Sequence, residues 1–285
     1  MKLTDRALLV QLSISQWTAR KFDKKTTKEV ADSHGVTEVV GRYNKALLPL
    51  NDLLRQIHQT SAAIRQRFYA NTLPWGIEGT FILPTGNYLE FMTEFRGYKS
   101  KWLALVDDFC NQYPAIKLEA QQILGSMYDP KDYPDDDRIR DKFDIDMAVF
   151  PVPSNDFRVE LADDELSRIQ KDIEARVQNS AQLAMRDAWD RLYEKVTHIA
   201  GKLADPKAIF RDSTIENARE LCDVLTRLNF TDDPNLEAMR TEVEQQLVSH
   251  HPDALRNDPI LRQDMAAKAR DIANRMDIFM TGVQQ

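Results

Sequence analysis

The sequence predicts a mainly α protein with a small β-sheet, its long helices forming an elongated, coiled-coil-like arm that a helical C-terminal lobe follows. Three observations carry that prediction. An apolar stripe runs from Asp163 to Leu203 with no internal proline and no glycine until Gly201. Only 9 glycines and 12 prolines occur in 285 residues, which favours helix over a turn-rich sheet protein. Only three short segments carry strand signals, either alternation of side chains or closure by proline.

The elements follow in order. Leu8, Val10, Leu12 and Ile14 alternate with Leu9, Gln11, Ser13 and Ser15, which predicts a half-buried strand, with helix as the alternative for so short a run. Arg20 to Lys28 is a basic connector, and Thr26 with Glu29 has the spacing of a capping box. From Pro49 to about Ala70, Leu47, Leu50, Leu54, Ile57, Ser61, Ile64 and Phe68 recur at heptad spacing and predict a helix. Leu73-Pro74-Trp75-Gly76 ends it, and Gly79 to Pro84 reads as a strand closed by proline.

A further helical region spans about Asn87 to Met127, with Trp102, Val106, Phe109, Tyr113, Ile116, Ala120, Ile123 and Met127 on one face. Pro114 lacks an amide donor and clashes with the preceding turn, so a kink or a fresh start is expected there. Tyr128 to Glu165 holds 13 acids, 5 bases and four prolines, and within it Asp144 to Pro153 reads as a strand ended by prolines.

The long helix then starts with Asp163 or Asp164 as its cap. Leu166, Ile169, Ile173, Val177, Ala181, Ala184, Ala188, Leu192, Val196, Ile199 and Leu203 recur at a mean step near 3.7, which predicts nearly straight or slightly right-handed packing. About 40 residues make a rod of roughly 60 Å, long enough to require other long helices against its stripe. Three shorter helices follow the Asp205-Pro206 break. Ser213 to Glu216 marks a cap for one, and Asp233-Pro234 and Asp258-Pro259 mark the others. The expected division is residues 1–204, the arm with its sheet, and residues 205–285, the helical lobe.

Bulk composition excludes several classes. At 42% hydrophobic and 29% charged, the chain is neither disordered nor membrane-spanning, and no apolar run approaches the ~18 residues of a span. The first residues lack the apolar core of a signal peptide, and the two cysteines, Cys110 and Cys222, are too few and too far apart for a disulfide framework. A soluble cytoplasmic protein is expected. The net charge of −7 is uneven: residues 1–70 hold 12 Lys/Arg against 6 Asp/Glu, and the remainder is strongly acidic. A basic head can attract an acidic partner, or complement the acidic body of another copy.

Motifs for chemistry are missing from the sequence. Asp135, Asp136, Asp137, Asp141, Asp144 and Asp146 alternate with Arg138, Arg140 and Lys142 and lack the glycine and terminal glutamate of a calcium loop. The five histidines show no i, i+4 pair for zinc, and Gly201-Lys202 lacks the rest of a phosphate loop. No catalytic residue, cofactor or metal is assigned, and no enzyme activity is expected. One group has a binding signature. Trp17, Arg20, Lys21, Lys24, Lys25 and Lys28, with Phe22 between them, interleave rings and cations, as single-stranded nucleic acid or an acidic partner requires. Arg65, Arg67, Phe68 and Tyr69 form a second, smaller group, while the pI near 5.4 opposes a dedicated nucleic-acid binder.

The strand and basic stretch from Leu8 to Lys21, the heptad helix, Gly79 to Pro84, the Tyr113-Pro114 break and the strand from Phe143 to Pro153 resemble, over residues 6 to 200, a family of phage and bacterial proteins of unknown function. Glu78 stands where that family has the first of two glycines. The resemblance implies a prophage or mobile-element origin, placing the protein in the host cytoplasm, and a MoxR-type AAA+ ATPase as partner. The function expected is that of a non-enzymatic, oligomeric scaffold or adaptor. The alternative is a nucleic-acid-associated accessory protein acting through the basic segment.

Overall fold

The computed structural model describes residues 3–154, 162–205 and 207–282. Pro206 of the expected break, and 155–161 of the acidic segment, lie outside the described residues. The chain is mainly α with a small antiparallel sheet, as the sequence predicts. Its elements are β1 (Ala7–Ser15), β2 (Arg20–Phe22), α1 (Lys24–Ser33), β3 (Asn44–Ala46), α2 (Asp52–Asn71), β4 (Leu73–Pro74), β5 (Phe81–Pro84), α3 (Thr85–Leu124), β6 (Asp144–Pro151), α4 (Asp163–Ala204), α5 (Asp212–Leu228), α6 (Pro234–Val243), α7 (Pro252–Asn257) and α8 (Pro259–Gly282).

The three expected strands lie in one sheet, in the order β4-β5-β1-β6. Leu9 pairs with Ile82 and Val10 with Phe81, while β4 adds Leu73 opposite Ile82. Two residues of β4, one of them proline, are too few to show alternation, so this edge strand is not legible in advance. A second ribbon pairs β2 with β3, Lys21 opposite Lys45.

The contacts divide the chain into two units, at places other than the expected boundary at 204/205. One unit holds 1–11, 67–92 and 147–285; the other holds 12–66 and 93–146. The tail from 205 does not stand apart, because the apolar stripe of α4 from Ala184 onward is covered by the tail's own helices.

In the first unit, Ala184, Ala188, Leu192, Val196, Ile199 and Leu203 of α4 are buried against α5 and, above all, α8. The helices α4 and α8 run antiparallel. Near one end Arg262 donates to the Leu203 carbonyl at 3.1 Å, and near the other Trp189 and Phe279 stand 5.9 Å apart. Small residues on both helices, Ala184, Ala188 and Ala200 of α4 and Ala266, Ala269 and Ala273 of α8, lie in this core and permit a close approach. Each large side chain fully buried here stabilises the fold by about 1.5–3 kcal/mol. The strands contribute Ala7, Leu9, Leu73 and Ile82 to the same core. The turn after β4 also rests on α4: a Cβ on Gly76 would meet Ser180 Oγ at 2.8 Å.

The second unit buries the stripes of α2 and α3. Leu54, Ile57 and Ile64 are covered, with Trp102, Val106, Phe109, Tyr113 and Ile116. Ser61, which sits in an otherwise apolar stripe, accepts from Trp102 Nε1 at 2.7 Å and lies 2.6 Å from Gln16 Oε1. The loop after α3 is pinned by two phenols: Tyr133 donates to the Leu47 carbonyl at 2.7 Å and Tyr113 to the Pro134 carbonyl at 3.1 Å.

Several local expectations are corrected. Leu50 precedes α2, is 90% exposed and has φ of 89°, so it is a turn residue and not part of the stripe. Ile123 is exposed, so the buried face of α3 ends at Ala120. The helix α3 continues through Pro114 without restarting, because buried Phe109, Tyr113 and Ile116 hold both sides in register.

The cap of α4 is Ala162 with no side-chain bond, and Asp163 is already helical. Asp23, not Thr26, caps α1, and Arg211, without a side-chain bond, takes the place expected of Ser213. Asp233 and Asp258 do cap their helices, accepting from Asn235 and Ile260 at 2.9 Å. Among the described residues the tail has four α-helices, not three; the extra one, α7, starts at Pro252 behind His251.

Candidate partner-contact surface

The basic segment is built by a ribbon and a short helix, both in the second unit. The carboxylate of Asp23 accepts from Thr26 N at 2.9 Å and starts α1. The Thr27 hydroxyl donates to the Asp23 carbonyl at 2.7 Å and accepts from Tyr43 N at 3.0 Å, and Asp23 N donates to the Tyr43 carbonyl. These bonds lock α1 to the chain that returns as β3. The bond from Thr26 N, with smaller help from the nearby Lys45 ammonium, holds the Asp23 carboxyl below its ordinary range.

At the ribbon's centre lies a group that sequence reasoning missed. Lys45 is buried, and its ammonium donates to Asp132 at 2.8 Å and to the Met127 carbonyl at 2.8 Å, with Asp23 at 3.8 Å. Directly across the ribbon Lys21 reaches the same Asp132 at 3.6 Å. Two ammonium groups facing one another across a ribbon repel, and the Asp132 carboxylate between them removes that cost. Lys45 therefore organises the fold, and Lys21 is half committed to it.

The remaining residues of the group do not converge. Trp17 is held edge-on by Tyr113 at 5.9 Å and Tyr133 at 6.4 Å, and its carbonyl lies 2.9 Å from His58 Nε2. It lines an open groove of about 820 Å³ with Lys131, Asp132, Asp135, Arg138 and Lys142, whereas Arg20 lines a different one, beside Leu50 and Arg55. Lys24, Lys25 and Lys28 are exposed on α1; Lys25 pairs with Glu29 at 3.8 Å. Arg20, Lys24 and Lys28 have no ion-pair partner among the described residues.

The second, smaller group does not form a surface. Phe68 is in the core, Tyr69 packs on Phe68 and Phe81, and Arg65 donates to the Ile14 carbonyl at 3.2 Å.

Between α1 and β3 the chain exposes aliphatic side chains that the sequence reading passed over. Val39 is 93% exposed and Val40 73%, with Val30, Val36 and Tyr43 also open. Phe22 is partly open, with Arg42 5.6 Å above its ring. The signal was present, since Val36, Val39, Val40 and Tyr43 have the i, i+3, i+4, i+7 spacing of an apolar helix face, of which only the short 3₁₀ turn Glu38–Val40 forms. Segment 17–45 carries seven Lys/Arg against four Asp/Glu. Cations and exposed aliphatic side chains therefore lie within one segment of the chain.

Among the described residues, no three His, Cys, Asp or Glu side chains are placed to hold a metal ion, and no helix is long and apolar enough to cross a membrane. Comparison with protein-family models, curated proteins and solved structures gives no match for this chain.

Proposed function

We propose that the protein is a non-enzymatic interaction protein, a self-associating scaffold or adaptor, and that the second unit's basic and aliphatic surface docks a protein partner. One observation carries the reading. Val39 is 93% and Val40 73% exposed, on the segment that also presents Arg20, Lys24 and Lys28, which have no ion-pair partner among the described residues. Aliphatic side chains in water are stabilised by an apolar partner surface, and unpaired cations by an acidic one. An acidic protein face with an apolar centre satisfies both. On the prophage resemblance, that partner is a MoxR-type AAA+ ATPase and the setting is the host cytoplasm.

Nucleic acid fits less well. Stacking needs accessible ring faces, whereas Trp17 is packed among tyrosines and Phe22 lies beneath a guanidinium.

The experiment is capture of binding partners from source cells with three proteins: wild type, V39S/V40S and K24E/K28E. A protein partner captured by the wild type should be lost with both variants. Single-stranded DNA affinity at low salt, measured by fluorescence anisotropy, should be weak throughout. DNA binding that V39S/V40S leaves intact and K24E/K28E abolishes would overturn the proposal in favour of nucleic acid.

A further inference from the structure

Within the first unit, α4 and α8 differ in length by 18 residues, and α8 covers only part of its neighbour. The antiparallel pairing sets Arg262 beside Leu203, and Met280 shares a cavity with Ala181 and Met185. Toward its N-terminus α4 therefore runs on past the end of α8, from about residue 180 back to Asp163. That is roughly 25 Å of helix, and its first buried residue is Ser180. The apolar stripe nevertheless continues: Leu166, Ile169, Ile173 and Val177 fall within an arc of about 80°, each only partly covered, Val177 by the first unit's own core. We infer that this extension of α4 is a self-association site that pairs antiparallel with the same segment of a second copy, an inference that rests on the self-associating part of the proposed function.

Charge selects the occupant and its direction. In an antiparallel register that sets Ile169 against Ile173 of the other copy, Leu166 meets Val177. The same register brings Glu165 beside the other copy's Arg176, and symmetry makes that contact twice. Glu165 and Arg176 project from the same edge of the stripe, about 20° apart around the helix, as such a contact requires. Within its own helix Glu165 pairs with Arg168 at 3.6 Å and Arg176 with Asp172 at 2.7 Å, so the contact between copies joins two existing ion pairs into one network.

A parallel, in-register pair would instead stack the acidic first turn, Asp163, Asp164 and Glu165, on itself and align the helix dipoles unfavourably. The apolar contact involves four side chains per copy, less than a standard interface of ~1,200 Å² or more. The helix is already formed by its continuation into the core, so little ordering is lost on pairing. The product is a weak dimer, with Kd on the order of 10 µM.

Sedimentation velocity on the full chain from 1 to 200 µM tests this. The wild type should shift from monomer to dimer across the range. I169K and I173K alter residues that are not buried, so folding should be unchanged by circular dichroism, while Kd rises at least tenfold. L118K, placed on an exposed position elsewhere, should dimerise as the wild type does. E165R should weaken the dimer about fivefold and R176E should too, whereas E165R/R176E should restore it, a rescue that only the antiparallel register gives. A dimer that survives I169K and I173K would overturn this site while leaving self-association in place. A monomer at every concentration would overturn both the site and the self-associating part of the proposed function.

Discussion

Replacing Lys45 tests the electrostatic centre of the second unit. Its side chain is 8% exposed, and Asp132, 2.8 Å away, is 11% exposed. K45M keeps the volume of the side chain but removes the ammonium, leaving Asp132 with only the more distant, half-exposed Lys21 at 3.6 Å and Asp23 without its nearby cation. Uncompensated buried charge of that kind costs about 3–5 kcal/mol. The Met127 carbonyl also loses its donor, which adds about 1 kcal/mol.

The bonds that Asp23 keeps with Thr26 moderate the loss, so we expect about 3 kcal/mol. K45M/D132L removes both charges together and should recover most of it, leaving about 1 kcal/mol, because a buried ion pair adds little net stability over a packed apolar pair. Urea unfolding, followed by the fluorescence of Trp17 and Trp102 in the same unit, reads both values. A K45M cost below about 1 kcal/mol would refute the reasoning. So would a double variant less stable than K45M, since relief of the orphaned carboxylate is the point at issue.

Further predictions concern single sites. S61A removes the acceptor of Trp102 Nε1 and a partner of Gln16, and denaturant unfolding should show a loss of about 2 kcal/mol. L50G should stabilise by about 0.5–1 kcal/mol in the same assay, since an exposed leucine at φ 89° carries a left-handed strain that glycine lacks. Burial pushes the Tyr133 phenol up to about 12 and raises Tyr113 as well. Both phenols stay neutral in the fold while the unfolded chain ionises near pH 10, so the stability they contribute is whole below pH 10. It falls as pH rises from 10 towards 12, and Y133F should flatten that decline in pH-dependent thermal melts. Burial likewise raises the Cys222 thiol to about 12, so a thiol reagent at pH 8 should label Cys222 only when the protein is unfolded.

The long helix was legible because forty residues repeat one step, and repetition averages out local ambiguity. Leu192, Val196, Ile199 and Leu203 are buried where the pattern places them. The three main strands were legible from alternation and from prolines that close them. What covers α4 was not legible, because a stripe records that a face is apolar without recording its partner. Its C-terminal half is covered by the chain's own tail, so the expected boundary at 204 fell inside a core. Caps were half legible: an aspartate before proline works, since proline fixes the first turn, while Thr26 and Ser213 lost to neighbours three and two residues earlier.

The basic segment shows the same asymmetry between pattern and packing. Its lysines were visible as a run of charge, yet only the fold separates Lys45, which holds the ribbon to the acidic loop, from Lys24 and Lys28, which face water. The partner that divides them is Asp132, 87 residues further along the chain. A carboxylate at that separation gives no local signal. Val39 and Val40 argue from the opposite direction. With Val36 and Tyr43 they have helical spacing, yet only a short 3₁₀ turn forms there and both side chains stay exposed. If K24E/K28E and V39S/V40S abolish capture of the same protein, the cations and the aliphatic side chains belong to one interface. Loss with only one of the two variants would divide the surface and leave the other half as solvated chain.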